Sequence, residues 1–165
     1  MCFIDASKAF DRVNHRTQFM KLTLRGVPGY IVRVLIYWYA HQKMQIKWGG
    51  SISAPFGVDN GVRQGGILSP NLFNLCVNEL SMQLWACKTG CMTGEMLMNH
   101  LMYADDLVII SLSSAGLQQL LNICTEYGLK HDIKYNACKS AVLICTRNLA
   151  CRGWELRTMM LCASF

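Results

Sequence analysis

Leu101-Met102-Tyr103-Ala104-Asp105-Asp106-Leu107-Val108-Ile109-Ile110 is the stretch whose reading decides the fold. Apolar residues run up to two adjacent carboxylates and away from them again, the pattern of a β-hairpin. Two-residue hairpin turns favour glycine, which accepts the positive φ they demand. No glycine stands here, so turn chemistry does not account for the acids. Two carboxylates about 4 Å apart repel by roughly 1 kcal/mol in water and roughly 4 at an effective dielectric of 20. A chain that sets them between apolar strands calls for a compensating cation.

Downstream of the hairpin, Ser113 or Ser114 precedes Leu117, Leu120, Leu121, Cys124 and Tyr127 at helical spacing, with Gly128 expected to end the helix. Lys130 to Lys139 is polar and basic, and Ser140 to Ile144 reads as a last strand. Upstream, Cys2-Phe3-Ile4 is a short strand ending on Asp5. His15 to Arg25 has helical spacing and a closing Gly26. Tyr30 to Tyr39 is apolar almost all round, which predicts a well-buried helix. Met44, Ile46 and Trp48 alternate before Gly49-Gly50, and Ile52, Ala54, Phe56 and Val58 alternate after it, a second hairpin. The glycine-rich segment Asp59 to Gly66 feeds Ser69-Pro70. Those two residues are expected only to cap an amphipathic helix running through Leu72, Phe73, Cys76, Val77, Leu80, Leu84 and Trp85. A glycine-rich loop opening a helix offers free N–H groups to a phosphate or base. Strands and helices in this mixed order predict an α+β fold, an antiparallel sheet with helices packed on one face.

With 165 residues, 52% of them hydrophobic, the chain is long enough for one packed domain. The longest apolar run, Tyr30 to Ala40, is broken by Arg33 and falls short of a membrane span of about 20 residues. Asp5, Lys8, Asp11 and Arg12 stand where a signal peptide needs an apolar core. A chain that opens inside a strand is expected to be a fragment of something longer. The net charge of +6 suits an anionic partner, nucleic acid being the commonest. Nine irregularly spaced cysteines read as reduced intracellular thiols. Cys87, Cys91 and His100 lack a fourth ligand at any usual spacing and are not read as a zinc site.

Four segments together carry a specific resemblance: Phe3-Ile4-Asp5-Ala6-Ser7-Lys8-Ala9-Phe10-Asp11-Arg12-Val13; Gly61-Val62-Arg63-Gln64-Gly65-Gly66-Ile67-Leu68-Ser69-Pro70; Tyr103-Ala104-Asp105-Asp106; and Gly128-Leu129 with Asn136 and Lys139-Ser140. In order and interval they resemble motifs A, B, C and D of a reverse transcriptase palm, in the flavour of non-LTR retrotransposons. The resemblance covers residue 3 to about residue 144. It implies a polymerase palm with a ferredoxin-like βαββαβ core over residues 1–144, and leaves 145–165 as a tail of unclear structure with a possible short helix from Trp154 to Leu161.

The activity so implied is RNA-directed DNA polymerisation by a two-metal displacement at phosphorus, with two Mg²⁺ ions and Mn²⁺ as substitute. The resemblance assigns Asp5 and Asp105 as metal bridges, Asp106 as a supporting ligand, the Ala6 carbonyl as completing the shell, and Lys139 as a general acid toward pyrophosphate. Lys8, Ala9, Phe10, Arg63, Gln64 and Gly65 become nucleotide-binding, with the Phe10 ring set against a ribose 2′-hydroxyl. Tyr103 and Ala104 lie beneath the primer end, and Asp11 is a structural acid. Implied partners are an RNA template, a DNA primer, deoxynucleoside triphosphates, and the fingers and thumb segments of a parent polypeptide, with no membrane. The place of action is intracellular, and nuclear by resemblance. A group II intron-type reverse transcriptase and a non-catalytic nucleic-acid-binding remnant are the alternatives, and a chain that never folds stably is a third.

Overall fold

Residue types that alternate in and out of a sheet explain the first strand. Cys2 and Ile4 are buried at 3% exposure while Phe3 between them faces outward. The computed structural model describes residues 1–63 and 65–145. In chain order its elements are β1 (Cys2–Ile4), β2 (Ala6–Ser7), a 3₁₀ turn (Phe10–Arg12), α1 (His15–Leu24), α2 (Gly29–Ala40), β3 (Lys43–Met44), β4 (Lys47–Trp48), β5 (Ser51–Ile52), β6 (Phe56–Gly57), α3 (Ser69–Ala86), β7 (Cys91–Thr93), β8 (Met96–Met98), β9 (His100–Tyr103), β10 (Asp106–Ile109), α4 (Ser114–His131), β11 (Lys134–Tyr135) and β12 (Ala141–Val142). They divide between two compact units, Met1–Ala9 with the chain from Val77 onward, and Phe10–Cys76. The expected tail, apart from Cys145, lies outside the described residues, and so does its expected helix.

The first unit is built on an antiparallel sheet of order β12-β1-β10-β9. Counting β1, β9, β10 and β12 as four strands gives the order 4-1-3-2, with α3 before the second strand and α4 before the fourth. That is the βαββαβ arrangement expected from the sequence. Its inner face, Cys2, Ile4, Leu107 and Ile109, packs with Leu80 and Leu84 of α3 and with Leu117, Leu120, Cys124 and Tyr127 of α4. Full burial of each such leucine or isoleucine is worth about 1.5–3 kcal/mol. In this core burial, with the neighbouring Cys2, pushes the Cys124 thiol up to about 12, so it stays protonated and unreactive. Among the described residues seven cysteines are unbridged.

Ser113 caps α4, its hydroxyl accepting from the Gly116 N–H at 3.1 Å. Gly128 does not end this helix, contrary to expectation. The helix runs on to His131 and closes at Asp132 in the left-handed region. Gly128 is glycine for packing, since a Cβ there would stand 2.8 Å from the Ile133 carbonyl oxygen. The β7–β8 hairpin and the β2–β11 pair were not foreseen. Gly94 with φ +63 was the available signal for the former.

In the second unit Asn14 caps α1 through the Thr17 N–H at 3.1 Å, and Gly26 follows the helix at φ +77 as expected. The expectation of a well-buried α2 is overturned. Only Val32, Leu35 and Tyr39, spaced i, i+3, i+7, are buried, and Tyr39 lies edge-on to His15 and Phe19 of α1. One helical neighbour covers one stripe, so Tyr30, Val34 and Tyr37 are 64%, 64% and 67% exposed. The Gly49-Gly50 hairpin forms with positive φ at both glycines. Its register shifts by one residue between the β4–β5 and β3–β6 pairs, a bulge in which the Ser53 hydroxyl accepts from the Ile46 N–H. Among the described residues no helix is long and apolar enough to cross a membrane.

Candidate active site

Strand pairing brings two of the predicted aspartates together. The β1–β10 ladder ends with Ile4 opposite Leu107, and Asp5 and Asp106 are the next residue on each strand. Asp106 pairs with Tyr103 across β9–β10, leaving Ala104 and Asp105 as the two-residue turn. Alternation puts Tyr103 and Asp106 on the sheet face opposite the core, and both are exposed, whereas Asp105 is half-buried. Of the two turn residues only Ala104 has a positive φ, +53. It takes the conformation for which glycine is preferred, the kind of strain that gathers at functional turns.

The backbone of Asp5 is held by the turn between β11 and β12. Its carbonyl accepts from the Asn136 N–H at 2.8 Å, and its own N–H donates to the Ser140 hydroxyl oxygen at 3.3 Å. That hydroxyl donates in turn to the Asn136 carbonyl at 2.8 Å. Lys139 sits in the same turn, its N–H donating to the Asn136 carbonyl, with its side chain exposed. Ala6 pairs with Tyr135. Lys8 is exposed with φ +51, and Ala9 is buried.

Among the described residues no three His, Cys, Asp or Glu side chains are gathered closely enough to hold a metal ion. Asp5, Asp105 and Asp106 are therefore neighbours by strand register without forming a ready-made ligand set. Their chemistry fits magnesium, which takes hard oxygen ligands and needs only a few carboxylates.

The remaining predicted residues lie in the second unit. Phe10 stacks on Phe73 of α3, ring centroids 4.3 Å apart and planes 14° from parallel. Sequence reasoning placed Phe73 only on a helix face and missed it as the partner of Phe10, because no local spacing links them. Residues 60–62 run along residues 10–14: the Val62 N–H donates to the Phe10 carbonyl at 2.8 Å and the Gly61 N–H to the Val13 carbonyl at 2.7 Å. The Arg63 side chain is exposed, and its carbonyl accepts from the Gly66 N–H at 3.0 Å and from the Ser69 hydroxyl. Ser69 thus ties the loop to the helix instead of only capping it, a correction to the expectation. Gly65 has φ +80. Gln64 lies outside the described residues.

A family model described as reverse transcriptase (RNA-dependent DNA polymerase) matches residues 1–156. The chain belongs to the reverse transcriptase family. This reverse transcriptase chain is 33% identical, over 84% of its length, to the Pol polyprotein of the type-2 retrotransposable element R2DM of Drosophila melanogaster, of which it spans 13%. It is 29% identical, over 85%, to the RNA-directed DNA polymerase from mobile element jockey of Drosophila funebris, of which it spans 15%. It is 29% identical, over 86%, to the transposon TX1 149 kDa protein of Xenopus laevis, of which it spans 11%. The aspartate hairpin and the turn that grips Asp5 both fall within the family match.

Proposed function

We propose that this chain carries the polymerising centre of an RNA-directed DNA polymerase of a non-LTR retrotransposon. It would act with the fingers and thumb segments of a parent polypeptide, on an RNA template and a DNA primer, in the nucleus. The observation that supports this most directly is the strand register that sets Asp5 beside Asp106, with Asp105 in the adjoining turn.

Asp5, Asp105 and Asp106, with the Ala6 carbonyl, would hold two Mg²⁺ ions or Mn²⁺ in their place. Such ions, when bound, supply Lewis-acid stabilisation of phosphoryl charge and acidify the attacking hydroxyl. The chain's own residues do the rest. Lys139 holds a proton for the departing pyrophosphate. Phe10, its ring fixed by the Phe73 stack, excludes a 2′-hydroxyl. Lys8, Ala9, Arg63, Gln64 and Gly65 bind the nucleotide, and Tyr103 and Ala104 carry the primer end.

Thermal melting against Mg²⁺ and Mn²⁺, with Asp105→Asn beside the wild type, tests the reading. A ligand that binds only the folded state adds about 2.7 kcal/mol at one hundred times its Kd. The expected result is a metal-dependent rise in the midpoint that Asp105→Asn loses. A cooperative melt indifferent to both metals overturns the metal site and leaves a non-catalytic nucleic-acid-binding chain.

A further inference from the structure

Three side chains that the polymerising centre does not use form a hydrogen-bonded chain between α3 and β9. The Ser81 Oγ lies 2.7 Å from the His100 Nε2, and the His100 Nδ1 lies 2.7 Å from the Asn99 Oδ1. The Asn99 amide nitrogen donates to the Leu84 carbonyl in the last turn of α3. That carbonyl can only accept, so the amide nitrogen faces it and the amide oxygen faces the ring. The oxygen accepts from the Nδ1–H, which leaves Nε2 bare to accept from the Ser81 hydroxyl. Asn99 is 2% exposed, which locks the order. Hydroxyls elsewhere on these helices behave differently. Thr23 and Thr125 donate to the carbonyl four residues earlier, at 3.0 and 2.9 Å.

We propose that Ser81 is the nucleophile of a second activity of this chain, the transfer of an acyl group from an ester of an apolar carboxylic acid, with His100 as general base and Asn99 positioning the ring. A hydroxyl bonded to a base that a third group orients is the arrangement nucleophilic catalysis needs. Burial lowers the His100 pKa, so at neutral pH the ring carries no extra proton and can accept one. Ser81 and His100 are both only half-buried, and β9 is an edge strand of its sheet. A small ester can therefore reach the hydroxyl. Trp85, one helical turn beyond Ser81 and 54% exposed, lies edge-on to the His100 ring with centroids 6.4 Å apart at 85°. Its indole supplies an apolar wall for the acyl chain, which is why the acid is apolar.

In the first step the Ser81 Oγ attacks the ester carbonyl carbon as its proton passes to Nε2. The tetrahedral intermediate collapses, the bond to the alcohol oxygen breaks, and that oxygen leaves with the Nε2 proton. Acyl-Ser81 and free alcohol result. Water then takes the place of the alcohol in the reverse sequence, releasing the carboxylic acid and restoring Ser81. The site stands apart from the aspartates: His100 lies three residues, about 10 Å, along β9 from Tyr103.

The test treats the whole chain with an alkyl fluorophosphonate, whose phosphorus stands in for the ester carbon, and maps the adduct by mass spectrometry. One adduct is expected, on Ser81, absent from Ser81→Ala. Ser53 and Ser113, exposed serines with no histidine partner, serve as internal controls. His100→Asn is expected to slow the labelling about a hundred-fold, the low end of general-base catalysis. Excess 4-nitrophenyl butyrate is expected to slow it in the wild type. No adduct, equal labelling of Ser53 and Ser113, an unchanged rate in His100→Asn, or no protection by the ester overturns the proposal. The ¹⁵N spectrum of the His100 ring tests the orienting bond without any variant of the ring. A protonated Nδ1 and bare Nε2 are expected, giving way to mixed tautomers and slower labelling in Asn99→Leu. The opposite tautomer in the wild type overturns the assignment even where a variant fails to fold. Asp105→Asn is expected to be labelled like wild type, so this site and the metal site fail separately.

Discussion

Asp5 and Ser140, 135 positions apart in the chain, are joined by a hydrogen bond from the Asp5 N–H to the Ser140 hydroxyl oxygen at 3.3 Å. The bond fixes the backbone that carries the first candidate carboxylate. Ser140→Ala leaves that N–H without its acceptor and is expected to cost about 1 kcal/mol of stability. Chemical denaturation measures it. The Mg²⁺-dependent rise in melting midpoint should shrink as well, because Asp5 loses its fixed position, and Ser140→Thr should restore both.

The Ala104 turn stores backbone strain. A non-glycine residue in the left-handed region costs roughly 1–2 kcal/mol, and Ala104 sits at φ +53. Ala104→Gly is expected to raise the melting midpoint or leave it unchanged, since its own chain-entropy cost of about 0.5–1 kcal/mol offsets part of the gain. Ala104→Val, β-branched at the same φ, is expected to lower it clearly.

Gln18 has no exposure, and its amide oxygen and nitrogen have no hydrogen-bond partner among the described residues. A buried unpaired polar group costs about 1–3 kcal/mol. Gln18→Met keeps the length and removes both polar atoms, so it is expected to stabilise the chain by about 1 kcal/mol in a urea titration. A loss of stability would show that the amide is paired in solution.

Gly61 stands at φ +93, and a Cβ on it would lie 2.9 Å from both the Cα and the carbonyl oxygen of Asp11. Backbone atoms cannot swing aside, so Gly61→Ala is expected to cost more than the roughly 1–2 kcal/mol of conformational strain alone. Gly49, at φ +52 with nothing within 4 Å, is the control. Gly49→Ala should lose only the strain. Melting midpoints of the two variants test the difference.

Burial lowers the His100 pKa below its ordinary value. The ring stands between Ser81, 2.7 Å from Nε2, and Asn99, whose Oδ1 is 2.7 Å from Nδ1. The unfolded chain takes up this proton more readily than the folded one, so the neutral ring's contribution is fully present above the unfolded pKa of about 6.5. It is lost as pH falls through the lower folded value. The melting midpoint is expected to drop from pH 7 to pH 5, and to drop less in His100→Asn.

The sequence by itself determined what depends on near neighbours. The Ser113 cap and the Leu117, Leu120, Cys124 and Tyr127 stripe of α4, the Gly49-Gly50 hairpin, and the reversal at Asp105 were legible because turn chemistry and side-chain period are properties of a few adjacent residues. The ordered motifs also carried the family. What only the tertiary structure decided depends on residues far apart in the chain. Apolar residues all round α2 suggested burial, yet one neighbouring helix covers only Val32, Leu35 and Tyr39. Gly128 looked like a helix stop until the Ile133 carbonyl was seen to fill its side-chain space. The Phe10–Phe73 stack and the Asp5–Ser140 bond have no local pattern to betray them. Periodicity fixes which face of an element is apolar; packing decides what, if anything, covers it.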